Sequence, residues 1–190
     1  GGGVENGARA QEETLCRRST LARSIYTFDE EYARNYHYTH RKGNNYPLEN
    51  LNYSAIYSPY VTFFREGLDC TFMEEPFQCA VVTCAALNLN GRYSLKLTRD
   101  GNMPPQAKSI TANKILTIFR LALRHYHNAL VLGAFGCGAF RNPPEEMASI
   151  FKSVLNEDEF RNKFLLVTFA IIEDHNSRNV NLRAFRKVFE

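Results

Sequence analysis

From residue 79 onward, the pattern of apolar and polar positions resolves into alternating strands and helices. Cys79-Ala80-Val81-Val82-Thr83-Cys84-Ala85 is a short apolar run of β type and predicts a buried strand. Ser109 to His127 places Ile115, Ile118, Phe119, Ala122 and Tyr126 on one face at helical spacing, which predicts a long helix. Ala129 to Leu132 reads as a second strand. Asn142-Pro143-Pro144-Glu145 has the form of a helix start, with Asn as N-cap, Pro at the first helical position and Glu three residues after the cap. The helix it opens turns Met147, Ile150, Phe151 and Val154 inward. Phe164 to Ile172 predicts a third strand, and Asn181 to Phe189 a closing helix.

The first third is more polar. Asn6 to Arg23 reads as a helix, with Ala8, Ala10, Leu15 and Leu21 apolar among charged neighbours. Glu12 and Glu13 fall in its early turns, where carboxylates suit the positive end of the helix dipole. Tyr26 to Tyr60 is rich in tyrosine, is interrupted by Gly43, Pro47 and Pro59, and reads mostly as loop; Tyr60 to Phe64 reads as a short strand. Three strand–helix repeats imply right-handed crossovers and a mainly parallel sheet covered on both faces. In such sheets ligands bind beyond the carboxyl ends of the strands. The loops there are Ala86-Leu87-Asn88, Gly133 to Phe140 and Asp174-His175-Asn176.

Composition narrows the setting. The 190 residues, 44% of them hydrophobic, suit a single domain over 1–190 with its own core. No run is apolar and long enough to span a bilayer, and no signal segment opens the chain. Cysteines at 16, 70, 79, 84 and 137 form neither a CxxC zinc signature nor an even-numbered disulfide framework. A cytoplasmic location is expected, or a nuclear one in a eukaryote, and not secretion. The formal charge of +3 mildly favours an anionic ligand. The chain opens on Gly rather than Met, with no strand to hold a glycine loop, so an N-terminally truncated domain is expected.

The chemistry concentrates in two places. Gly1-Gly2-Gly3, a spacer of seven residues and Gln11-Glu12-Glu13 set carboxylates beside a backbone that can turn around an anion without Cβ obstruction. Gly133 to Asn142, with Gly136 and Gly138, leaves a strand and enters a helix N-terminus, where N–H groups and the dipole favour phosphate. Two such loops suffice to clasp a diphosphate, and neither has the GxGxxG spacing of a dinucleotide dehydrogenase. Consecutive helical residues point about 100° apart, so Glu12 and Glu13 do not form the acid–nucleophile pair of a common glycosidase. A split role fits: one grips the sugar and the other transfers a proton. Cys137 has no His or acid placed beside it and reads as a small residue in a tight loop. His125 and His127 do not share a helix face, and His37 and His40 lack partner ligands, so no metal is expected. Tyr32 to Tyr46 reads as a polar loop packing its rings on the domain, with no specific DNA or RNA binding.

The motif Gly1-Gly2-Gly3, seven residues and Gln11-Glu12-Glu13 resembles the signature of the macrodomain-type poly(ADP-ribose) glycohydrolases, in particular their microbial-type branch. GGGVENGARAQEETLCRRSTL, YSPYVTFF, the alanine-rich strand end at Cys84 to Asn88 and LVLGAFGCGAFRNPP fall in the family's order, covering most of residues 1–155. The resemblance implies an α/β macrodomain-like fold of three α/β/α layers around a mixed, mainly parallel sheet. It implies a hydrolase of the ribose–ribose O-glycosidic bond, acting on poly(ADP-ribose) or ADP-ribosylated protein, releasing ADP-ribose without a cofactor. It matches Gly1, Gly2 and Gly3 to the diphosphate loop and Glu13 to the catalytic acid. Glu12 corresponds to the carboxylate that holds the ribose hydroxyls, with Gln11 positioning ribose and acid. Gly136, Cys137, Gly138, Ala139 and Phe140 correspond to the second phosphate loop, Phe140 lying beside the distal ribose. The sequence departs from the pattern at Arg141, where Gly is common, and at Leu87, where Pro is usual. The alternative is a non-catalytic domain that binds ADP-ribose or a related NAD-derived nucleotide.

Overall fold

The computed structural model describes residues 10–27, 30–35, 37, 53–67, 69–90, 95–172 and 179–190. They form a mixed α/β fold in two units, each with its own core. The first unit carries α1 (Gln11–Arg18), α2 (Leu21–Tyr26), α3 (Glu30–Asn35), β1 (Ala55–Glu66) and β2 (Thr71–Cys84). The second carries α4 (Pro105–Arg124), β3 (Ala129–Leu132), α5 (Pro144–Leu155), β4 (Leu166–Phe169) and α6 (Val180–Phe189). No helix among the described residues is long and apolar enough to cross a membrane.

In the first unit the expected single helix over 6–23 is two, and residues 6–9 lie outside the described residues. Ser19 breaks it. Its backbone is extended, its hydroxyl donates to the Leu15 carbonyl at 2.7 Å, and it accepts the Leu21 N–H at 3.1 Å. A hydroxyl that satisfies both helix ends offers the backbone an alternative to continuing the helix. The freed backbone bridges to Phe63, and the Thr20 N–H reaches the Thr62 carbonyl at 3.0 Å, strapping the junction to β1. Cys16, Leu21, Ile25, Tyr26, Ile56 and Val61 fill the space between helices and strand.

The region 26–60 holds more than loop: α3 lies within it, and β1 begins at Ala55 rather than Tyr60. Pro59 disguises the strand, because it sits where the β1–β2 register shifts between Ser58 and Val61. A proline without an N–H is tolerated in a strand at such an irregularity. β1 and β2 pair antiparallel, so only the β3–β4 pair follows the parallel pattern expected from the crossovers.

In the second unit α4, β3, α5, β4 and α6 appear in the expected order. α4 starts earlier than Ser109, at Pro105, since a proline in the first turn forfeits only an N–H that has no helical partner. Ile115, Ile118, Phe119 and Ala122 are buried on its inner face as the spacing predicts. Tyr126 is not with them: the helix ends at Arg124, and Tyr126 turns out at φ +61° with 95% of its surface exposed. Phe151 of α5 is the hub of the core, its ring centroid 5.3 Å from Phe169, 6.3 Å from Phe119 and 6.3 Å from Phe185. β3 and β4 bury on one side only. Leu132 and Phe169 turn inward while Val131, 77% exposed, faces out, so the sheet is not covered on both faces among the described residues.

Between β3 and α5, Arg141 adopts φ +55° with its side chain exposed. A non-glycine residue in this region costs roughly 1–2 kcal/mol, against about 0.5–1 kcal/mol of extra chain entropy for glycine. Arg141→Gly is therefore expected to stabilise the fold by about 0.5–1 kcal/mol. Urea denaturation checks this: the midpoint rises with unchanged slope, and a fall would contradict the strain argument.

Candidate functional site

The acidic motif opens α1. Gln11 is exposed, Glu12 half-buried and Glu13 buried at 5% exposure, a gradation that follows from the rotation between successive helical residues. Ala10 stands at the N-cap and contributes no side-chain capping hydrogen bond. Glu13 Oε2 is buried with no hydrogen-bond partner among the described residues. Sealing an unpaired carboxyl oxygen away from water costs several kcal/mol when the group is charged. Thr111 Oγ1 and Asn142 Oδ1 are buried in the same way among the described residues, so Glu13 is singled out by its carboxyl chemistry together with its burial. The Cys16 thiol beneath is pushed up to about 12, by burial first and then by the charges of Glu12 and Glu13. Gly1, Gly2 and Gly3 lie outside the described residues.

The second loop is organised around Gly136. At φ +71° a side chain would be strained, and a Cβ there would lie 2.4 Å from Asn142 Nδ2 and 2.7 Å from Ala86 Cβ. Gly136 is required twice over, by backbone angle and by space. Gly138 differs, since a Cβ there meets nothing within 4 Å. The loop's carbonyls are spent on the protein. That of Gly136 accepts from Asn142 N–H and Nδ2, each at 3.0 Å; that of Gly138 accepts from Arg141 N–H at 2.9 Å. Those of Ala139 and Phe140 accept from Asn90 Nδ2 at 3.4 Å and Leu89 N–H at 3.0 Å.

The consecutive N–H groups of Gly138, Ala139 and Phe140 have no partner among the described residues. Gly138 and Ala139 are exposed, so these N–H groups lie open to solvent, and successive donors of this kind can serve an anion as a backbone nest does. Phe140 is half-buried beside it. Phe135, expected in the core, packs its ring edge-on against Phe151 at 6.5 Å. The Cys137 thiol is pushed up to about 12 by burial, which keeps it protonated and unsuited to nucleophilic attack.

Asn142 departs from its expected role. The N-cap is Pro143, without a side-chain bond, and Asn142 Nδ2 instead donates to the carbonyls of Leu87 at 2.8 Å and Gly136 at 3.0 Å. The reason is in the sequence: Pro143 and Pro144 carry no N–H, which leaves an Asn cap little to accept. That pair of prolines was the available signal. Nothing in the sequence marked Leu89 and Asn90 as partners of the loop.

The remaining candidates stay apart. His37 is exposed at φ +55°, and His40 and residues 173–178 lie outside the described residues. Among the described residues no three His, Cys, Asp or Glu side chains come together as a metal site requires. A cleft of about 630 Å³ in the first unit is lined by Thr20, Ser24, Thr27, Ser58 and Thr62, among others. Its hydroxyls bond within the protein, Ser24 with Ser58 at 2.7 Å and Thr27 to the Ser24 carbonyl at 2.7 Å.

Comparison with known proteins gives the chain's family. The model of the microbial-type poly(ADP-ribose) glycohydrolase catalytic domain matches residues 1–66. No curated protein matches the chain. Among solved structures, the poly(ADP-ribose) glycohydrolase of Thermomonospora curvata is 29% identical with a TM-score of 0.76, over 99% of this chain and 63% of that one. This chain thus spans less than two thirds of that protein's length. The same enzyme bound to the inhibitor ADP-HPD is 30% identical, TM-score 0.76, over 99% of this chain and 65% of that one. The glycohydrolase of Deinococcus radiodurans in complex with ADP-ribose is 30% identical, TM-score 0.71, over 97% of this chain and 69% of that one. By sequence and by fold, the chain belongs to the microbial-type poly(ADP-ribose) glycohydrolase family.

Proposed function

We propose that the chain hydrolyses the ribose–ribose O-glycosidic bond of poly(ADP-ribose), free or on ADP-ribosylated protein, and releases ADP-ribose from chain ends. It does so as a macrodomain-like catalytic domain of three α/β/α layers, over residues 1–190. The observation that carries this is Glu13, a buried carboxyl group at a helix start with one oxygen unpaired among the described residues. Family membership and the relatives that hold ADP-ribose or ADP-HPD support it.

In this scheme Gly1 to Gly3 and the loop from Gly136 to Phe140 hold the diphosphate. Glu12 accepts hydrogen bonds from ribose hydroxyls, and Gln11 positions ribose and acid. Glu13 gives its proton to the departing ribose oxygen as the C–O bond breaks, leaving an oxocarbenium-like ring that the nearby diphosphate helps to stabilise. The Glu13 carboxylate then takes a proton from water as its oxygen attacks the anomeric carbon, which restores the acid. The glycines contribute position and electrostatics rather than bond-breaking groups.

Two substitutions test the scheme. Glu13→Gln keeps size and removes the transferable proton, so release of ADP-ribose from poly(ADP-ribose) is expected to fall about 10²–10⁴-fold while calorimetric ADP-ribose binding persists. Turnover near that of the unsubstituted chain would remove Glu13 from this role, and binding without release in the unsubstituted chain would favour the non-catalytic reader. Gly138→Ala meets no protein atom, so the melting temperature should hold while ADP-ribose affinity drops, because the added methyl occupies the space the anion needs. Unchanged affinity would place the diphosphate elsewhere.

A further inference from the structure

We propose that Asn142, assisted by Asn90, is a positioning residue for this reaction: it sets the anion nest of Gly138, Ala139 and Phe140 without touching substrate. The inference rests on the function proposed above and gives Asn142 and Asn90 a role that no motif of the sequence assigns.

A backbone nest binds an anion only when its carbonyls are held away, because a peptide that rotates presents C=O where N–H was needed. In this loop the carbonyls of Gly138, Ala139 and Phe140 are held by Arg141 N–H, Asn90 Nδ2 and Leu89 N–H, and Asn142 anchors the turn that precedes them through the Gly136 and Leu87 carbonyls. Asn142 is 1% exposed, and its amide nitrogen bridges two carbonyls far apart in sequence, Gly136 within the loop and Leu87 in the segment 86–90. Two acceptors on one terminal atom fix that atom as NH₂, since an oxygen there would face two carbonyl oxygens. Asn142 Oδ1 is then buried with no partner among the described residues, a sign that the side chain is oriented by the carbonyls it holds. Its own N–H closes the loop on the Gly136 carbonyl at 3.0 Å. Asn90 Nδ2 reaches the Ala139 carbonyl at 3.4 Å, and Leu89 N–H takes the Phe140 carbonyl at 3.0 Å. The segment 86–90 is thus a rail to which the nest is stitched, and Asn142 is the stitch that also fills the space beside Gly136.

The role has a kinetic signature. The nest grips the diphosphate before and during bond breaking, so loosening it raises KM more than it lowers kcat. Asn142→Asp preserves shape while turning a double donor into an oxygen that repels both carbonyls. ADP-ribose binding by calorimetry and hydrolysis of poly(ADP-ribose) are compared for the unsubstituted chain, Asn142→Asp, Asn90→Ala and Val154→Ala. The last removes buried volume at the far end of α5 and serves as a destabilised control.

The expected result for Asn142→Asp is affinity weakened about tenfold or more, a matching rise in KM and kcat within about twofold. Asn90→Ala is expected to weaken binding by about threefold, and Val154→Ala to lower the melting temperature with affinity intact. A folded Asn142→Asp with undiminished affinity would overturn the proposal. So would an equal loss of affinity in Val154→Ala, which would make the effect one of general stability. If Asn142→Asp gives no cooperative melt, Asn90→Ala decides, and unchanged affinity there overturns the proposal. If the unsubstituted chain binds no ADP-ribose, the functional reading falls and takes this inference with it.

Discussion

The hydrogen bonds from Asn142 to the Gly136 and Leu87 carbonyls constrain everything else in the second glycine loop. Once these carbonyls are held, Gly136 is driven to φ +71° against a side chain 2.4 Å from where its Cβ would be, and only glycine fits. The chain then turns so that the carbonyls of Gly138, Ala139 and Phe140 find partners among the described residues while their N–H groups do not. Gly138 and Ala139 are exposed, so solvent can satisfy these donors, and an anionic ligand bound at the loop would take its place.

α1 presents a complementary imbalance. A buried carboxyl oxygen without a partner among the described residues sits in the first turn of a helix whose N-cap, Ala10, supplies no side-chain acceptor. The negative side chains suit the positive end of that helix. Their field reaches the Cys16 thiol beneath, which is held protonated by burial and by the two carboxylates. In the proposed function the loop would supply electrostatic grip and Glu13 the proton.

How much of this was legible in the sequence depended on whether a pattern had one physical cause. Helical spacing in α4 and α5 reports burial alone, so Ile115, Phe119, Met147 and Phe151 were found where expected. Boundaries failed where a side chain competed with the backbone. Ser19 could belong to a helix by composition, yet its hydroxyl bonds to both sides and opens the chain to pair with Phe63. Pro59 looked like a loop because the register shift that admits it, between Ser58 and Val61 of β1, exists only once the two strands pair. Tyr126 kept the helical spacing beyond the point where the helix had ended. Asn142 was legible as special and misread in role, because an N-cap is a local inference and its true partner, Leu87, lies 55 residues away in sequence. The glycines of the loop were readable from chemistry; the asparagines that hold them are visible only in three dimensions.

The most direct test follows the backbone amides themselves. With ¹⁵N-labelled protein, ADP-ribose is titrated and the amide resonances of Gly138, Ala139 and Phe140 are followed together. The account predicts that all three move downfield in step, saturating with one site, as exposed N–H groups acquire an anionic partner. Binding that leaves these three amides unmoved while shifting resonances elsewhere would contradict it.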